Sequence, residues 1–126
     1  MADIYTAHYS YDGSDRLDTT VQVNHPIGRI FVPTWYMVDK FKKGKMSEEE
    51  YTSNYYTILR NRYFQYKDIW DRISQWNTVT FVCFCKPNTF CHRYLLARFF
   101  SNLYKNSRYL GERNFSLTSP TQSAII

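Results

Sequence analysis

The chain has few residues that form disulfides or that interrupt helices and strands, since its 126 residues include only three cysteines, four glycines and four prolines. An odd number of cysteines, confined to residues 83–91, argues against a disulfide scaffold and favours reduced thiols. No run approaches the roughly 18 apolar residues of a membrane-spanning helix. Met1-Ala2-Asp3 leads into a strand-like segment without the basic start of a signal peptide. We therefore expect a cytoplasmic protein with no membrane partner.

Sequence signatures of several enzyme classes are also absent. There is no Walker phosphate loop, no GxGxxG dinucleotide motif and no GxSxG nucleophile elbow. The acidic run at residues 48–50 follows Ser47 and is explained by the start of a helix rather than by a metal site. Nothing indicates a bound cofactor. The length predicts one domain, which we place at residues 1–110, followed by a polar tail at 111–126.

Aromatic residues are plentiful and the net charge is positive. Tyr, Phe and Trp make up 19% of the chain, with 12 tyrosines, and the hydrophobic content of 44% suffices for a core. Tyrosine combines an apolar ring with a polar hydroxyl, so part of this aromatic content suits the wall of a groove. The net charge of +5 and the pI near 9.1 favour an anionic partner.

Strand-like and helical segments alternate along the chain. β-branched and aromatic residues predict strands at residues 4–9, 17–23, 29–32 and 79–85. Apolar spacing predicts helices at residues 35–41, 47–63, 67–75 and 91–103. Thr34 and Ser47 are expected to cap the first two helices. This alternation is typical of a Rossmann-like three-layer α/β domain with a mainly parallel sheet, which we predict here.

The passage from the last predicted strand to the last predicted helix concentrates reactive side chains. Residues 79–101 read VTFVCFCKPNTFCHRYLLARFFS, and Cys91-His92-Arg93 opens the helix. In α/β proteins the helix N-terminus at such a junction binds anions, because its free N–H groups and its dipole point at the ligand. We therefore predict the functional site at this junction.

Three interpretations of the junction cysteines remain open. Cys83 lies within the strand and fits a plain core residue, whereas Cys85 stands at the strand exit. Cys85, Cys91 and His92 could supply three metal ligands, but the C-x5-C-H spacing is not a zinc signature and further ligands are missing. We therefore predict no metal site. In the third interpretation, these residues contact a ligand.

A ligand site at the junction would use four side chains. Cys91 at the helix N-terminus is favoured as a thiolate, and His92 can donate a hydrogen bond or move a proton near neutral pH. Arg93 can grip a phosphate bidentately, and Lys86 adds charge to the loop. A structural alternative for Arg93 is an ion pair at the edge of the sheet.

Further candidates lie at the ends of other predicted elements. Thr34 and Trp35 would form a second wall of the site, although an N-cap and a core tryptophan explain them equally well. Thr6 and Tyr9, near the end of the first strand, would also reach the site. Four lysines and three aromatic residues form a separate basic aromatic face, namely Lys40, Lys42, Lys43, Lys45, Trp35, Tyr36 and Phe41. Nucleic-acid-binding proteins use this mixture, although a solvated surface is the simpler explanation.

The junction also carries a family resemblance. The segments FVCFCK at 81–86, FCHR at 90–93 and LLA at 95–97 resemble the signature of the domain of unknown function 488 family, in which Cys-His-Arg opens a helix after a strand and a short loop. Segments at 4–6 and 30–45 are similar to its bacterial and phage branches. The resemblance covers about residues 4–104. It implies the α/β fold and leaves the activity open.

These observations predict a protein that binds a small anionic, nucleotide-like ligand around Cys91, His92 and Arg93. If the chain is phage-encoded, as the resemblance permits, capture of a signalling nucleotide in the host cytoplasm is an attractive anti-defence role, because capture needs only tight binding. The alternative is an enzyme acting on a nucleotide or nucleoside, with Cys91 as nucleophile or His92 as acid or base. A third hypothesis is a module that binds nucleic acid or a host protein through the basic aromatic face.

Overall fold

The computed structural model describes residues 1–113, in which two strands are followed by four helices, a third strand, a fifth helix and a fourth strand. The strands are β1 (Asp3–His8), β2 (Arg16–Asp18), β3 (Thr78–Cys83) and β4 (Tyr109–Arg113). The helices are α1 (Pro26–Arg29), α2 (Trp35–Lys42), α3 (Glu48–Gln65), α4 (Lys67–Ser74) and α5 (His92–Leu103). Over the same residues, no helix is both long enough and apolar enough to cross a membrane.

The described strands form one parallel sheet in the order β2-β3-β1-β4. β1 pairs with β3 over its whole length, from Asp3 opposite Thr78 to His8 opposite Cys83. Helices flank this sheet, which confirms the predicted Rossmann-like α/β fold. Because all strands run in one direction, their carboxyl ends lie together at one edge of the sheet, where α/β proteins bind ligands.

β3 is buried on both of its faces. Phe81 joins the main core on one face, where its ring centroid lies 5.8 Å from that of Phe100 in α5. Val82 points to the other face and belongs to a smaller cluster with Ala7 and Tyr11. Burial on both faces explains why β3 reads as a nearly continuous apolar run, as is usual for strands of parallel sheets.

The two predicted helix caps are confirmed. Thr34 Oγ1 accepts a hydrogen bond from the Met37 N–H at 3.1 Å, and Ser47 Oγ accepts one from the Glu50 N–H at 3.0 Å. Each bond satisfies an N–H group that the helix itself leaves without a partner. The acidic residues 48–50 lie in the first turn of α3, where they stabilise the positive end of the helix dipole.

The strand predicted at residues 29–32 is wrong. α1 and the turn that continues it occupy this stretch, and the Phe31 N–H donates to the Gly28 carbonyl at 3.0 Å. Pro26 sits in the first helical turn, and the His25 side chain caps the helix. Because these two residues start a helix at residue 26, the apolar residues 30–32 follow a helical turn and do not form a strand.

The strand predicted at residues 17–23 is shorter in the structure, where β2 ends at Asp18. Asp18 Oδ1 accepts the Thr20 N–H at 2.9 Å, and the Val23 N–H donates to the Thr20 carbonyl at 3.1 Å. The chain therefore turns away from the sheet directly after β2. This turn leaves Thr20 at the carboxyl edge of the sheet.

β4 is an edge strand that the sequence analysis does not predict. It pairs in parallel with β1 and continues to Arg113, beyond the domain boundary expected at residue 110. Its sequence YLGER contains a glycine with φ of +116° and two charged residues, and the pairing register shifts beside Ile4. Such a strand lacks a regular apolar pattern. The rest of the expected tail, residues 114–126, lies outside the described residues.

Candidate ligand-binding site

A cavity of about 370 Å³ opens at the carboxyl edge of the sheet. Its walls come from the residues that follow β2, from α2 and α3, and from the junction between β3 and α5. Small-molecule sites usually have volumes of about 300–1,000 Å³. The cavity therefore has the size of a small-ligand site and lies at the junction singled out from the sequence.

Aromatic side chains form much of the cavity wall, namely Trp35, Phe41, Tyr51, Phe84 and Phe90. Trp35 and Phe84 are 60% and 52% exposed, so much of each ring remains accessible to a planar ligand. Lys42 and Lys86 also line the cavity, and both side chains are exposed. The cavity thus combines accessible aromatic surface with positive charge.

Three thiols meet at one side of this cavity. The sulfur atoms of Cys83, Cys85 and Cys91 all lie within 4.8 Å of one another. Cys83 ends β3, Cys85 follows two residues later on the same side of the chain, and Cys91 returns as the N-cap of α5. Cys83 and Cys91 are buried, whereas Cys85 is partly exposed. We refer to these three residues as the thiol cluster.

Arg93 uses its hydrogen-bond donors inside the protein. Nε and Nη2 donate to the two carboxylate oxygens of Glu112 at 3.2 and 2.6 Å, and Nη2 also donates to Tyr94 Oη at 3.0 Å. Nη1 donates to the Cys83 sulfur and to the Cys85 carbonyl, both at 2.9 Å. A guanidinium carries five N–H groups, and these contacts engage all of them. Arg93 is fully buried and holds the ion pair at the sheet edge that was its structural alternative.

The charge of Arg93 is directed at the thiol cluster. Burial alone would lower the pKa of Arg93, but the hydrogen bond with Glu112 and the proximity of Cys83 outweigh burial and raise that pKa above its ordinary value. Arg93 Nη1 also lies 3.7 Å from the Cys91 sulfur. A permanently charged guanidinium therefore faces two of the three sulfurs while Glu112 holds it from the opposite side.

The thiols interact strongly with one another. Hydrogen bonds from Cys83 and Cys91 lower the pKa of Cys85 to about 3, and the charge of Arg93 adds to this effect. The same contacts with Cys83 and Cys85, together with burial, raise the pKa of Cys91. These contacts therefore favour the thiolate form of Cys85 and disfavour that of Cys91, which the sequence analysis predicts as the thiolate.

His92 is held in one tautomer by the residue that follows β2. Its Nε2 lies 2.7 Å from the Thr19 carbonyl oxygen, which can only accept, so Nε2 carries a proton. Burial lowers the pKa of His92, and the ring is neutral near pH 7. Nδ1 is then the unprotonated nitrogen, and it lies 3.9 Å from the Cys91 sulfur. His92 thus lines the cavity and ties α5 to the segment after β2.

The other predicted site residues divide into two groups. Lys86 and Trp35 line the cavity together with Cys91 and His92. Thr34 is occupied as the cap of α2, and buried Thr6 is hydrogen-bonded to the hydroxyl of Tyr109 at 2.7 Å. Tyr9 stacks on Phe84 with ring centroids 4.3 Å apart, so it supports a wall residue from outside the cavity.

The basic aromatic face is only partly available to a partner. Lys43 forms an ion pair with Asp39 at 3.1 Å. Lys40 lies over the ring of Tyr36, with its ammonium nitrogen 5.5 Å from the ring centroid. Lys42 turns to the cavity. Three of the four lysines of this face are therefore engaged by local contacts or line the candidate site.

Two residues of the site have roles that the sequence argument did not assign. The sequence fits Cys83 as a plain core residue, yet its sulfur completes the thiol cluster. The two-residue spacing between Cys83 and Cys85 is the sequence signal for this role. Glu112 lies in the segment expected to be a tail, and it supplies the carboxylate that holds Arg93. No local pattern marks Glu112, because its role depends on the pairing of β4 with β1.

Comparisons with known proteins identify a family for this chain. The matching family model is described as the active DUF488-N3 subclade, DUF488-N3a, and it covers residues 4–103, from β1 to the end of α5. No curated protein and no solved structure shows significant similarity to the chain. The matched range contains the thiol cluster, His92 and Arg93, but it stops before β4 and Glu112. The chain belongs to the DUF488 family, in its DUF488-N3 subclade.

Proposed function

We propose that the chain binds a small nucleotide-like anion in the cavity, with a planar base against the aromatic wall and a phosphate beside the two lysines. The observation that carries this proposal is that one cavity of about 370 Å³ combines exposed aromatic rings with Lys42 and Lys86. Proteins that bind single-stranded nucleic acids use the same combination of base stacking and positive charge.

Trp35 and Phe84 are the residues proposed to receive the base. Each ring lines the cavity and keeps more than half of its surface exposed. Stacking of a base on an aromatic side chain contributes about 1–3 kcal/mol. Tyr9 supports this function indirectly, because its ring stacks on Phe84 and limits the orientations of that ring.

The phosphate is proposed to lie beside Lys42 and Lys86. Both are exposed cavity residues, and a flexible ammonium can follow a phosphate as a point charge. Cys91 and His92 present the amino end of α5 to the same cavity, where the helix dipole favours an anion. Arg93 is assigned a positioning role, because its donors are engaged by Glu112, Tyr94 and the β3–α5 junction.

The biological role that follows is capture of a nucleotide in the cytoplasm. If the chain is phage-encoded, the captured molecule is a signalling nucleotide of the host, and tight binding alone performs the task. The matched family model describes an active subclade, and this wording supports testing for turnover as well as for binding. Turnover would make the chain an enzyme acting on the same class of ligand.

Isothermal titration calorimetry with purified nucleoside monophosphates and cyclic mononucleotides tests the proposal. Trp35→Ala should weaken binding by about 1–3 kcal/mol, or roughly 5- to 150-fold, because it removes a stacking surface. Tyr36→Ala is the matched control, since Tyr36 is an equally exposed aromatic residue of α2 outside the described cavity wall. It should leave the dissociation constant unchanged.

The outcomes separate the functional classes. Equal loss of affinity in the Trp35 and Tyr36 variants would contradict the cavity as the binding site and favour a nucleic-acid interface on the basic aromatic face. Failure of the wild-type chain to bind any of these nucleotides would contradict the proposed ligand class. Mass spectrometry of the recovered ligand then distinguishes capture, which leaves the mass unchanged, from catalysis, which alters it.

A further inference from the structure

Ligand binding by aromatic rings and lysines leaves the thiol cluster unexplained. We propose that Cys83, Cys85 and Cys91 together bind one thiophilic metal ion, such as Zn²⁺, with a fourth coordination position open to the cavity. Cysteine thiolates are preferred protein ligands of Zn²⁺. Three protein ligands with one open position are the arrangement found in catalytic zinc sites, whereas structural sites are closed by four. The proposal does not depend on the nucleotide-like ligand.

The three sulfurs already lie near the separation that a shared ion requires, because all of them are within 4.8 Å of one another. Zinc–sulfur bonds of about 2.3 Å place tetrahedral ligands about 3.8 Å apart. The longest sulfur–sulfur distance therefore has to shorten by about 1 Å at most. Cys85 is partly exposed and stands in the loop between β3 and α5, so its side chain can move toward the other two sulfurs without moving either element.

Arg93 supplies the charge balance for such a site. Three thiolates and one divalent cation carry a net charge of −1, which a neighbouring guanidinium offsets. Arg93 Nη1 lies 2.9 Å from the Cys83 sulfur and 3.7 Å from the Cys91 sulfur, so it donates to sulfurs that would be ligands. Hydrogen bonds of this kind orient metal ligands and tune their basicity. Glu112 fixes the guanidinium from the far side.

The fourth position belongs to a molecule that enters from the cavity. The His92 ring is held by the Thr19 carbonyl, and among the described residues the group of mutually close metal-ligating atoms contains the three sulfurs without His92. Cys85 lines the cavity from its partly exposed position. A water molecule or an anionic group of a ligand can therefore complete the coordination from that side.

This inference departs from the expectation of no metal in the sequence analysis, for a geometric reason. The C-x5-C-H spacing of Cys85, Cys91 and His92 does not match a zinc signature. The fold replaces His92 with Cys83, because β3 turns the Cys83 sulfur toward the start of α5. A set of three thiols is a stronger ligand group for Zn²⁺ than the set that the spacing suggested.

The test uses the full chain, reduced and freed of metal with a chelator, with Co²⁺ as a spectroscopic probe for Zn²⁺. We expect one Co²⁺ per chain, with sulfur-to-cobalt charge-transfer absorption in the near ultraviolet that Zn²⁺ abolishes by displacement. All three cysteines of the chain belong to the cluster, so this absorption reports on no other site. Elemental analysis after dialysis against Zn²⁺ measures the stoichiometry independently.

Cys85→Ser is the informative variant, because the residue is partly exposed and serine is nearly isosteric, so the fold should be retained. Its affinity for Co²⁺ should fall by at least about 10- to 100-fold, the loss that substitutions outside the ligand shell already cause. Trp35→Ala is the control variant, because Trp35 lines the same cavity but offers no metal ligand. It should weaken nucleotide binding and leave the Co²⁺ affinity unchanged, and circular dichroism checks the fold of both variants.

Two results would overturn the inference. One is a wild-type chain that shows no charge-transfer absorption and retains no zinc after dialysis. The other is a Cys85→Ser variant that binds Co²⁺ as tightly as the wild type with the same spectrum. Metal binding without nucleotide binding would count against the proposed function alone, and nucleotide binding without metal would count against this inference alone.

Discussion

Removal of the Glu112 carboxylate tests how the charge next to the thiol cluster is held. The Arg93 side chain is 0% exposed and the Glu112 side chain is 14% exposed, and they share two hydrogen bonds of 3.2 and 2.6 Å. Glu112→Ala would leave a buried guanidinium with two donors deprived of their acceptor. Arg93 cannot avoid the cost of this buried charge by losing a proton, since an arginine remains charged in proteins.

The expected cost follows from this burial. Breaking a buried ion pair by removing one partner costs about 3–5 kcal/mol, because the remaining charge stays in a poorly solvated place. Glu112 lies at the edge of the sheet and is slightly exposed, so water can enter part of the vacated space. We therefore expect the free energy of unfolding to fall by about 3 kcal/mol in Glu112→Ala. Glu112→Gln keeps one acceptor oxygen and should lose less, about 1.5–3 kcal/mol.

Urea unfolding followed by circular dichroism measures both losses. Asp39→Ala provides the control, because Asp39 in α2 and Lys43, the C-cap of that helix, form an exposed ion pair with side chains 38% and 59% exposed. Pairs of this kind contribute about 0.3–0.5 kcal/mol. If Glu112→Ala destabilised the chain no more than Asp39→Ala does, the assignment of the Arg93–Glu112 pair as a principal support of the site would be refuted.

Two further predictions concern the opposite end of the sheet and the turn after β2. Burial tends to raise the pKa of Asp15, but hydrogen bonds from Tyr11 and two threonines lower this pKa overall. The ionised Asp15 carboxylate therefore stabilises the fold above the unfolded carboxyl pKa of about 3.9. This contribution to the free energy of unfolding is lost as the pH falls through the lower pKa of the folded state. Asp15→Asn should flatten this acid dependence in pH-dependent urea unfolding, and an unchanged profile would contradict the assignment. Gly28→Ala would place a Cβ 2.4 Å from the Asp18 carbonyl oxygen, so thermal unfolding should show a loss of about 1–3 kcal/mol; unchanged stability would show that this contact relaxes freely.

The strands and helices that position the site were largely readable from the sequence. β3 has a mostly apolar sequence, and α5 has apolar residues at helical spacing. Thr34 and Ser47 mark the starts of α2 and α3, because both residues are typical N-caps. The strand prediction at residues 29–32 fails because three consecutive apolar residues fit a buried strand or a helical turn equally well. β4 was missed because its stability comes from the edge of β1 rather than from its own sequence.

The candidate site was predictable only in part, because its contacts join distant segments. Cys91, His92, Lys86 and Trp35 could be grouped from their positions at the ends of predicted elements, and the cavity does bring them together. The role of Arg93 depends on Glu112, nineteen residues further along the chain and on a strand without a local signal. Sequence spacing shows where a side chain starts, but not which partner occupies its hydrogen-bond donors.

The order of the strands has a consequence for synthesis at the ribosome. β1 is made first, yet it lies between two strands that emerge much later, since Asp3 pairs with Thr78 and Ile4 with Tyr109. Pairing across such long separations is slow, because the intervening chain must first be drawn together. A nascent chain therefore carries its cysteines and Arg93 for some time without the carboxylate of β4. The surroundings of the three sulfurs are completed only when β4 leaves the ribosome and docks against β1.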